Sequence, residues 1–169
     1  MNHDASVEQQ ILSTIDKWVE RELRPIAREY DQADEYPTDL VEQMKELGLF
    51  GATISEEYGG LGLSASTYAR IVSRICGVWM APSGIFNSHL IMASCVERGG
   101  TQAQKEHFLP KFASGELRGG IGLTEPDAGS DLQGIRLAAK KDGDDYLLNG
   151  TKTWISNGIK GNCLAVLTK

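Results

Sequence analysis

The strongest constraint on the fold of this chain is a change in hydrophobic periodicity at Gly115. Before this glycine, apolar residues recur at intervals near 3.6, the repeat of an amphipathic helix. After it, short apolar runs alternate with polar residues between glycine turns, the pattern of β-strands. The sequence therefore predicts an α+β fold with two domains: an all-α bundle over residues 1–116 and the N-terminal part of a β domain over residues 117–169.

Apolar spacing and capping residues divide the first domain into helices. The predicted helices cover residues 6–31; residues from Pro37–Thr38 to Gly48; residues 65–77 after a cap at Ser64; residues from Pro82 to Gly99–Gly100; a short helix with a capping box at Thr101 and Gln104; and a last turn from Pro110 to Gly115. Proline lacks a backbone N–H, so Pro25 should kink or split the first helix. His89 lies among apolar neighbours, which favours a core or pocket-wall histidine over a catalytic one.

The second domain shows four or five strand signals and no helix to cover them. The signals lie at Leu117–Leu123, Ile135–Ala139, Tyr146–Leu148, Thr151–Ser156 and Cys163–Thr168, with turns at Lys141–Asp144 and Asn149–Gly150. A sheet this small has open edges and is marginally stable alone. We therefore expect the chain to be the front part of a larger protein.

Charge and cysteine content argue against several classes of protein. The formal net charge is −6 without a run of like charges, which argues against nucleic-acid binding. The cysteines are odd in number and widely spaced, as expected of free thiols in a reducing compartment, and the histidines make no metal pattern with them. These residues are Cys76, Cys95, Cys163, His3, His89 and His107. Without a signal peptide, a transit peptide or a run of ~20 apolar residues, we expect a soluble cytoplasmic protein that binds no membrane.

Two stretches of the second domain carry the residue types of a cofactor site. The first stretch, Gly122–Gly134, reads GLTEPDAGSDLQG, and the backbone amides of its turn Ala128-Gly129-Ser130 can face an anion. The second stretch, Asn149–Gly158, reads NGTKTWISNG, with hydroxyl side chains beside Trp154. Alone, each is also what an ordinary loop or a core tryptophan would show. Together they suit a flavin, whose ring edge needs donors, whose face needs a flat surface and whose pyrophosphate needs amides.

The first stretch resembles the first signature of the acyl-CoA dehydrogenase family along its whole length. Supporting matches follow in the family's order: Glu57–Leu63 (EYGGLGL), Gly100–Lys105 (GTQAQK), Leu109–Glu116 (LPKFASGE) and Asn149–Asn157 (NGTKTWISN). The resemblance implies an N-terminal helical domain, a middle domain with an antiparallel, barrel-like β structure that begins near residue 117, and a C-terminal four-helix domain absent from this chain.

FAD is the cofactor that the resemblance implies, and the motif match gives its contacts. They are Ile121, Gly122, Leu123, Thr124, Gly129 and Ser130 in the first part, and Trp154, Ile155 and Ser156 in the second. In such a site Thr124 and Ser156 hydrogen-bond the flavin ring, Trp154 packs against it, and Ser130 also reaches the acyl-CoA. The family's glutamate base lies in the absent C-terminal part, so we assign no catalytic residue and interpret Glu125 as a motif residue rather than the base.

The implied reaction is the α,β-dehydrogenation of an acyl-CoA thioester to the trans-2-enoyl-CoA. A carboxylate base takes the α-proton on one face of the substrate, and flavin N5 takes the β-hydrogen as hydride on the other, which holds both groups of an elimination in place. Electrons then pass to an electron-transfer flavoprotein, and the family is usually a homotetramer or homodimer.

The resemblance also suggests features of the acyl pocket, which the helix at about 82–97 would line. Phe86 is expected to shorten this pocket and to favour short or branched chains. No Lys or Arg occurs between Arg74 and Arg98, which argues against a dicarboxylic acyl chain, since its free carboxylate would need a cation.

Two alternatives stay open beside this interpretation. An acyl-CoA oxidase or a nitroalkane-oxidase-like enzyme shares the flavin stretch and differs in what reoxidises the flavin. A truncated, non-catalytic protein that binds acyl-CoA or a partner fits the missing base. We also expect the 169-residue portion to be inactive by itself and not to hold FAD tightly.

Overall fold

The computed structural model describes residues 5–169 and places helices and strands on either side of Gly115, as the change in periodicity predicts. The helices are α1 (Ala5–Trp18), which continues as a π-helical turn over Val19–Leu23, α2 (Ala27–Ala33), α3 (Thr38–Glu46), α4 (Ala65–Cys76), α5 (Met80–Gly99) and α6 (Gln102–Ala113). Short 3₁₀ turns occupy Leu49–Gly51, Glu56–Tyr58 and Leu132–Gly134. The strands are β1 (Gly119–Gly122), β2 (Ala138–Asp142), β3 (Asp145–Asn149) and β4 (Cys163–Val166).

Several helix ends follow the local signals of the sequence. Pro25 interrupts the first predicted helix between the π-helical turn and α2, as its missing N–H predicts. The Ser64 hydroxyl accepts a hydrogen bond from the first turn of α4 at 3.2 Å and caps that helix. Thr101 and Gln104 form the predicted capping box at the start of α6.

Two other prolines lie inside helices rather than at their starts. Helix α6 runs through Pro110 to Ala113, so the separate last turn predicted from Pro110 is wrong. The helix continues because Phe112 and Ala113 are buried in the core, which outweighs the hydrogen bond that proline cannot make. Helix α5 begins at Met80 rather than at Pro82, since a proline in the first turn loses no hydrogen bond.

The helices enclose a hydrophobic core that the first sheet also joins. Its largest fully buried side chains are Phe50, Phe86, Leu23, Met44, Leu49, Ile54, Ile71, Ile75, Met92, Leu109, His89 and Val41. Cys163 and Ala165 of β4 pack against this core. Helix α5 also contacts β1. The helical domain therefore supports the strand from which the first stretch emerges.

The described strands form two separate two-stranded sheets. Strands β2 and β3 make an antiparallel hairpin that turns at Gly143, as predicted. Strands β1 and β4 pair in parallel, with Gly119 opposite Cys163, so the antiparallel expectation is wrong for this pair. This pairing is possible because a long connection, rather than a tight turn, lies between β1 and β4. Within residues 5–169 no closed, barrel-like sheet forms.

One predicted strand segment is not a strand, and another is shifted along the chain. Residues 151–156 form no ladder, because Trp154 (φ 57°) and Asn157 (φ 63°) take left-handed backbone conformations that interrupt a strand. Ile135 and Leu137 alternate with polar residues but precede β2. Both are buried. The Leu137 carbonyl accepts from the Lys169 N–H at 2.9 Å, and the Ala139 N–H donates to the Lys169 carbonyl at 2.7 Å, so the end of this segment pairs with the last residue of the chain.

Three further predictions concern thiols, membranes and metals. The three cysteines have free thiols, as predicted. None of the helices in residues 5–169 is both long and apolar enough to cross a membrane. His3, which the sequence analysis weighed as a metal ligand, lies outside the described residues.

Candidate functional site

The first stretch leaves β1 at Gly122 and folds into a tight turn. Glu125 and Ala128 exchange backbone hydrogen bonds of 2.8 and 3.2 Å, which fix the turn. Gly129 and Ser130 follow and are exposed, and their backbone N–H groups meet no acceptor in the part of the chain that the structure describes. Successive free amides at such a turn can bind an anion.

The second stretch follows β3 and holds Trp154 away from the protein. The Trp154 side chain is 93% exposed on a left-handed backbone, which non-glycine residues seldom adopt. Two anchors impose this conformation. The Thr153 N–H donates to the Thr124 carbonyl at 2.9 Å. The Asn157 side chain donates to one carbonyl of α5 at 2.8 Å and to one of β1 at 2.7 Å. An anchored, outward aromatic ring offers a flat face to a ligand.

The structure brings the two stretches together. The hydrogen bond from Thr153 to Thr124 joins them directly. The Ser156 carbonyl also lies so close to β1 that a Cβ at position 120 would be 2.6 Å from its oxygen, so Gly120 has to be glycine. The residues predicted to bind a cofactor thus lie in neighbouring segments: Ile121 and Gly122 in β1, Leu123, Thr124, Gly129 and Ser130 after it, and Trp154, Ile155 and Ser156 in the second stretch.

A buried ion pair that sequence reasoning missed lies between the two stretches. The Lys152 Nζ donates to Glu125 Oε1 and to the Leu123 carbonyl, both at 2.9 Å. The backbone N–H groups of Arg136 and Leu137 donate to the same carboxylate at 2.6 and 2.9 Å. A glutamate before a proline corner and a lysine among hydroxyl residues are visible in the sequence, but nothing in their spacing of 27 residues pairs them.

The surroundings of Glu125 make it a poor proton acceptor. The hydrogen bond from Lys152 and those from the Arg136 and Leu137 amides lower its pKa to about 2, against the opposite effect of burial. A general base works best with a pKa near the working pH. This supports the interpretation of Glu125 as a structural residue of the motif rather than the base.

His89 is a core residue, as the sequence analysis favoured. Its ring has no exposed surface and lies edge-on to Phe50 and Phe112. The Nε2–H donates to the Phe112 carbonyl at 3.0 Å, and Nδ1 accepts from the Gly119 N–H at 3.4 Å, which requires the neutral ring. Burial lowers the pKa of His89 to about 4. His89 therefore links the helical core to the start of β1.

An open cleft of about 430 Å³ lies between the helical domain and the second stretch. Gly84 and Ile85 of α5 line one side, and Ser156 and Asn157 line the other. Asp34, Glu35 and Tyr36 complete the end next to α2, and the lining contains no lysine or arginine. The cleft thus adjoins the stretch that holds Trp154 and carries carboxyl groups rather than cations.

The structure does not bring Phe86 to this cleft. Its ring is fully buried in the helical core and packs edge-on against Tyr68, with ring centroids 6.2 Å apart. The sequence analysis expected Phe86 to point from this helix into an acyl pocket, whereas in the structure the helix borders the cleft through Gly84 and Ile85. One residue along a helix turns the side chain by about 100°, so Ile85 faces the cleft and Phe86 faces the core.

Two family domains match consecutive parts of the chain. The family domain described as "Acyl-CoA dehydrogenase, N-terminal domain" matches residues 6–116. The one described as "Acyl-CoA dehydrogenase, middle domain" matches residues 120–169. Mitochondrial isovaleryl-CoA dehydrogenase from Bos taurus is 36% identical over 165 residues, which cover 96% of this chain and 39% of that protein.

Solved structures give the same match. A chain from the structure of the electron transferring flavoprotein of Acidaminococcus fermentans superposes with a TM-score of 0.90 at 32% identity, over 98% of this chain and 44% of the other. A glutaryl-CoA dehydrogenase from Mycobacterium smegmatis, solved in complex with FADH2, gives 0.85 at 30% identity, over 99% and 43%. The chain spans about two fifths of the length of these relatives.

Proposed function

Since the chain belongs to the acyl-CoA dehydrogenase family, we propose that the full-length protein is an FAD-dependent dehydrogenase that converts an acyl-CoA thioester to the trans-2-enoyl-CoA. Its electron acceptor is an electron-transfer flavoprotein, it works as a homotetramer or homodimer, and it is cytoplasmic. The division into residues 1–116 and 117–169 is part of the same proposal, as is the barrel that the middle domain completes.

The observation that carries this proposal is the exposed Trp154 ring on an anchored, left-handed backbone beside the first stretch. Such strain persists only where the surroundings impose it, and it clusters at ligand sites. The Thr153 hydroxyl next to it is buried without a hydrogen-bond partner among the described residues. Unpaired buried hydroxyls are costly, and a bound polar group nearby would remove that cost.

The groups on these two stretches fit FAD. The hydroxyls of Thr124 and Ser156 are the donors for the ring edge, and Trp154 is the surface for the ring face. The free amides of Gly129 and Ser130 suit the pyrophosphate. The backbone next to these groups belongs to Ile121, Gly122, Leu123 and Ile155. FAD held by these residues would supply the acceptor for the hydride from the β-carbon of the substrate.

In this proposal the residues of the chain hold and orient the cofactor and the substrate. None of them removes the α-proton. Ser130 reaches the acyl-CoA in this proposal, and the cleft between α5 and the second stretch takes the acyl chain. Glu125 does not serve as the base, because its carboxylate is engaged by Lys152 and two amides and its pKa is about 2. The base that removes the α-proton comes from the C-terminal domain of the family.

The lining of the cleft favours a neutral acyl chain. A dicarboxylic acyl chain would place a second carboxylate near Asp34 and Glu35, where no lysine or arginine lines the cleft to pair it. Lys160 lies nearby, with its Nζ 5.5 Å from the Tyr36 ring centroid, but it is outside the lining. We therefore expect butyryl-CoA or a branched homologue to be oxidised in preference to glutaryl-CoA.

The test is to purify the full-length protein and measure its flavin content and its turnover of these three substrates. FAD in about a one-to-one ratio, rapid turnover with an electron-transfer flavoprotein and slow peroxide formation in air would support a dehydrogenase. Rapid peroxide formation would instead identify an acyl-CoA oxidase, and turnover of nitroalkanes alone a nitroalkane oxidase. A protein that binds no FAD would contradict the proposal and leave a non-catalytic binding protein.

A further inference from the structure

The Glu125–Lys152 pair differs from every other ion pair in the described residues by its burial. Its side chains are 7% and 9% exposed, whereas both partners of each of the others are at least 25% exposed. Removing two charges from water is costly, and a pair of apolar side chains of similar size is often as stable or more so. Stability alone therefore does not explain why the pair is here.

The hydrogen bonds of the pair show which segments it connects. Lys152 Nζ ties the second stretch to the Leu123 carbonyl and to Glu125. The Glu125 carboxylate in turn fixes the far end of the first stretch through the amides of Arg136 and Leu137. The network thus closes the loop between residues 123 and 137 and joins its base to the second stretch.

Both members of the pair lie next to groups that the proposed function places on the flavin. Glu125 follows Thr124, whose carbonyl accepts the Thr153 hydrogen bond, and Lys152 precedes Thr153. A displacement of either side chain would move Thr124 and the Trp154 backbone together. The two charges also cancel, so the pair holds these groups without leaving a net charge beside them.

We propose that Glu125 and Lys152 are a charge-neutral positioning pair of the flavin site, which sets the relative placement of the two stretches and keeps the local field on the flavin balanced. The inference rests on the proposed function, since it assumes that FAD binds between these stretches. Removing one partner then has two separable effects. It loosens the site, and it leaves an unbalanced charge whose sign depends on which partner is gone.

The charge effect gives opposite predictions for the two single variants. Glu125→Gln leaves the lysine cation, which stabilises the negative charge that a flavin gains on reduction, so the flavin midpoint potential rises. Lys152→Met leaves the carboxylate, so the potential falls. The double variant restores neutrality, and its potential returns towards that of the wild type. A purely structural role predicts no such opposition of sign.

The experiment uses the full-length protein with FAD and compares Glu125→Gln, Lys152→Met, their double variant and Lys152→Arg. Matched controls are Glu20→Gln and Lys45→Met, which remove the same charges from exposed ion pairs of the helical domain. The readouts are the dissociation constant for FAD and the flavin midpoint potential at pH 7. We expect each single variant to weaken FAD binding by about tenfold or more, as loss of supporting partners does at metal sites, and the controls to leave it unchanged.

The outcomes distinguish a failure of the pair's proposed role from a failure of the proposed function. Variants that match the controls in both readouts, while the wild type holds FAD, would overturn the pair's role and leave the function standing. The pair's role would also be overturned if FAD binding weakened while the midpoint potentials of the flavin that stays bound moved in the same direction in both single variants and did not return in the double variant. A wild type without FAD would overturn the function and the pair with it. If Glu125→Gln does not fold, Lys152→Met against Lys152→Arg decides: the role requires a lower potential in the first and a nearly unchanged one in the second.

Discussion

At the scale of single residues, Trp154 combines the largest exposed ring in the described chain with a strained backbone. Truncating it to alanine removes the flat surface and little packing, so Trp154→Ala should weaken FAD binding by about tenfold or more, since an aromatic contact with a planar group is worth roughly 1–3 kcal/mol. Ile159→Ala is the matched control, because Ile159 is 94% exposed in the same region. Fluorescence titration of each apoprotein with FAD gives the dissociation constants. If Trp154→Ala binds FAD as tightly as the wild type and Ile159→Ala do, Trp154 does not contact the flavin.

His89 gives the molecule a defined pH dependence. Its folded-state pKa is about 4 against an ordinary value of 6.5, because burial disfavours the charged ring. The neutral ring therefore contributes stability that is complete above pH 6.5 and is lost as the pH falls towards about 4, by up to about 3 kcal/mol. Urea unfolding between pH 7 and pH 4.5 should show a shallower decline in His89→Gln than in the wild type. The exposed His107→Gln variant should decline like the wild type, and parallel curves for all three would exclude His89 as the source.

At the scale of elements, α5 has one face in the core and another on the cleft. A Cβ at Gly84 would meet nothing within 4 Å, so Gly84→Val should fold and should narrow the cleft, which shifts the preference of the full-length enzyme towards shorter acyl chains. Phe86→Ala should leave that preference unchanged and lower the free energy of unfolding by about 3–5 kcal/mol, because it opens a cavity in the core. Turnover across a chain-length series, together with thermal unfolding, measures both. If Phe86→Ala changed the chain-length preference, Phe86 would contact the acyl chain, as the sequence analysis predicted.

Most elements could be predicted from local signals, and the misses share a physical cause. Capping residues and apolar spacing located the helices because both act within a few residues, as at Ser64 and Thr101. Pro110 misled because tertiary burial of Phe112 outweighs a local cost. The strand direction of β1 and β4, the conformation of residues 151–156 and the Glu125–Lys152 pair all depend on contacts across tens of residues. No spacing rule in a single sequence contains those contacts.

At the scale of the whole molecule, the β part that begins at Gly119 is less buried than the helical part. The hairpin exposes Tyr146, Leu147 and Leu148 by 65%, 62% and 53%. The strands of residues 5–169 form two two-stranded sheets, and such pairs are marginally stable in water. The site that the two stretches build therefore lies on the less supported half of the chain, even though α5 and the Asn157 side chain tie one edge of it to the helical core.

This difference in support predicts how the 169-residue chain behaves by itself. The helical part has a continuous core and should resist limited proteolysis, whereas the segment after Gly122 should be cleaved first, because its backbone is held by few buried contacts. FAD binding needs the two stretches held in fixed relation, so the purified 169-residue chain should elute from gel filtration without flavin after incubation with FAD. The full-length protein, treated in the same way, is the control and should retain the cofactor. A yellow 169-residue chain that keeps its flavin on the column would mean that the Glu125–Lys152 network and the Asn157 anchor suffice to hold the site.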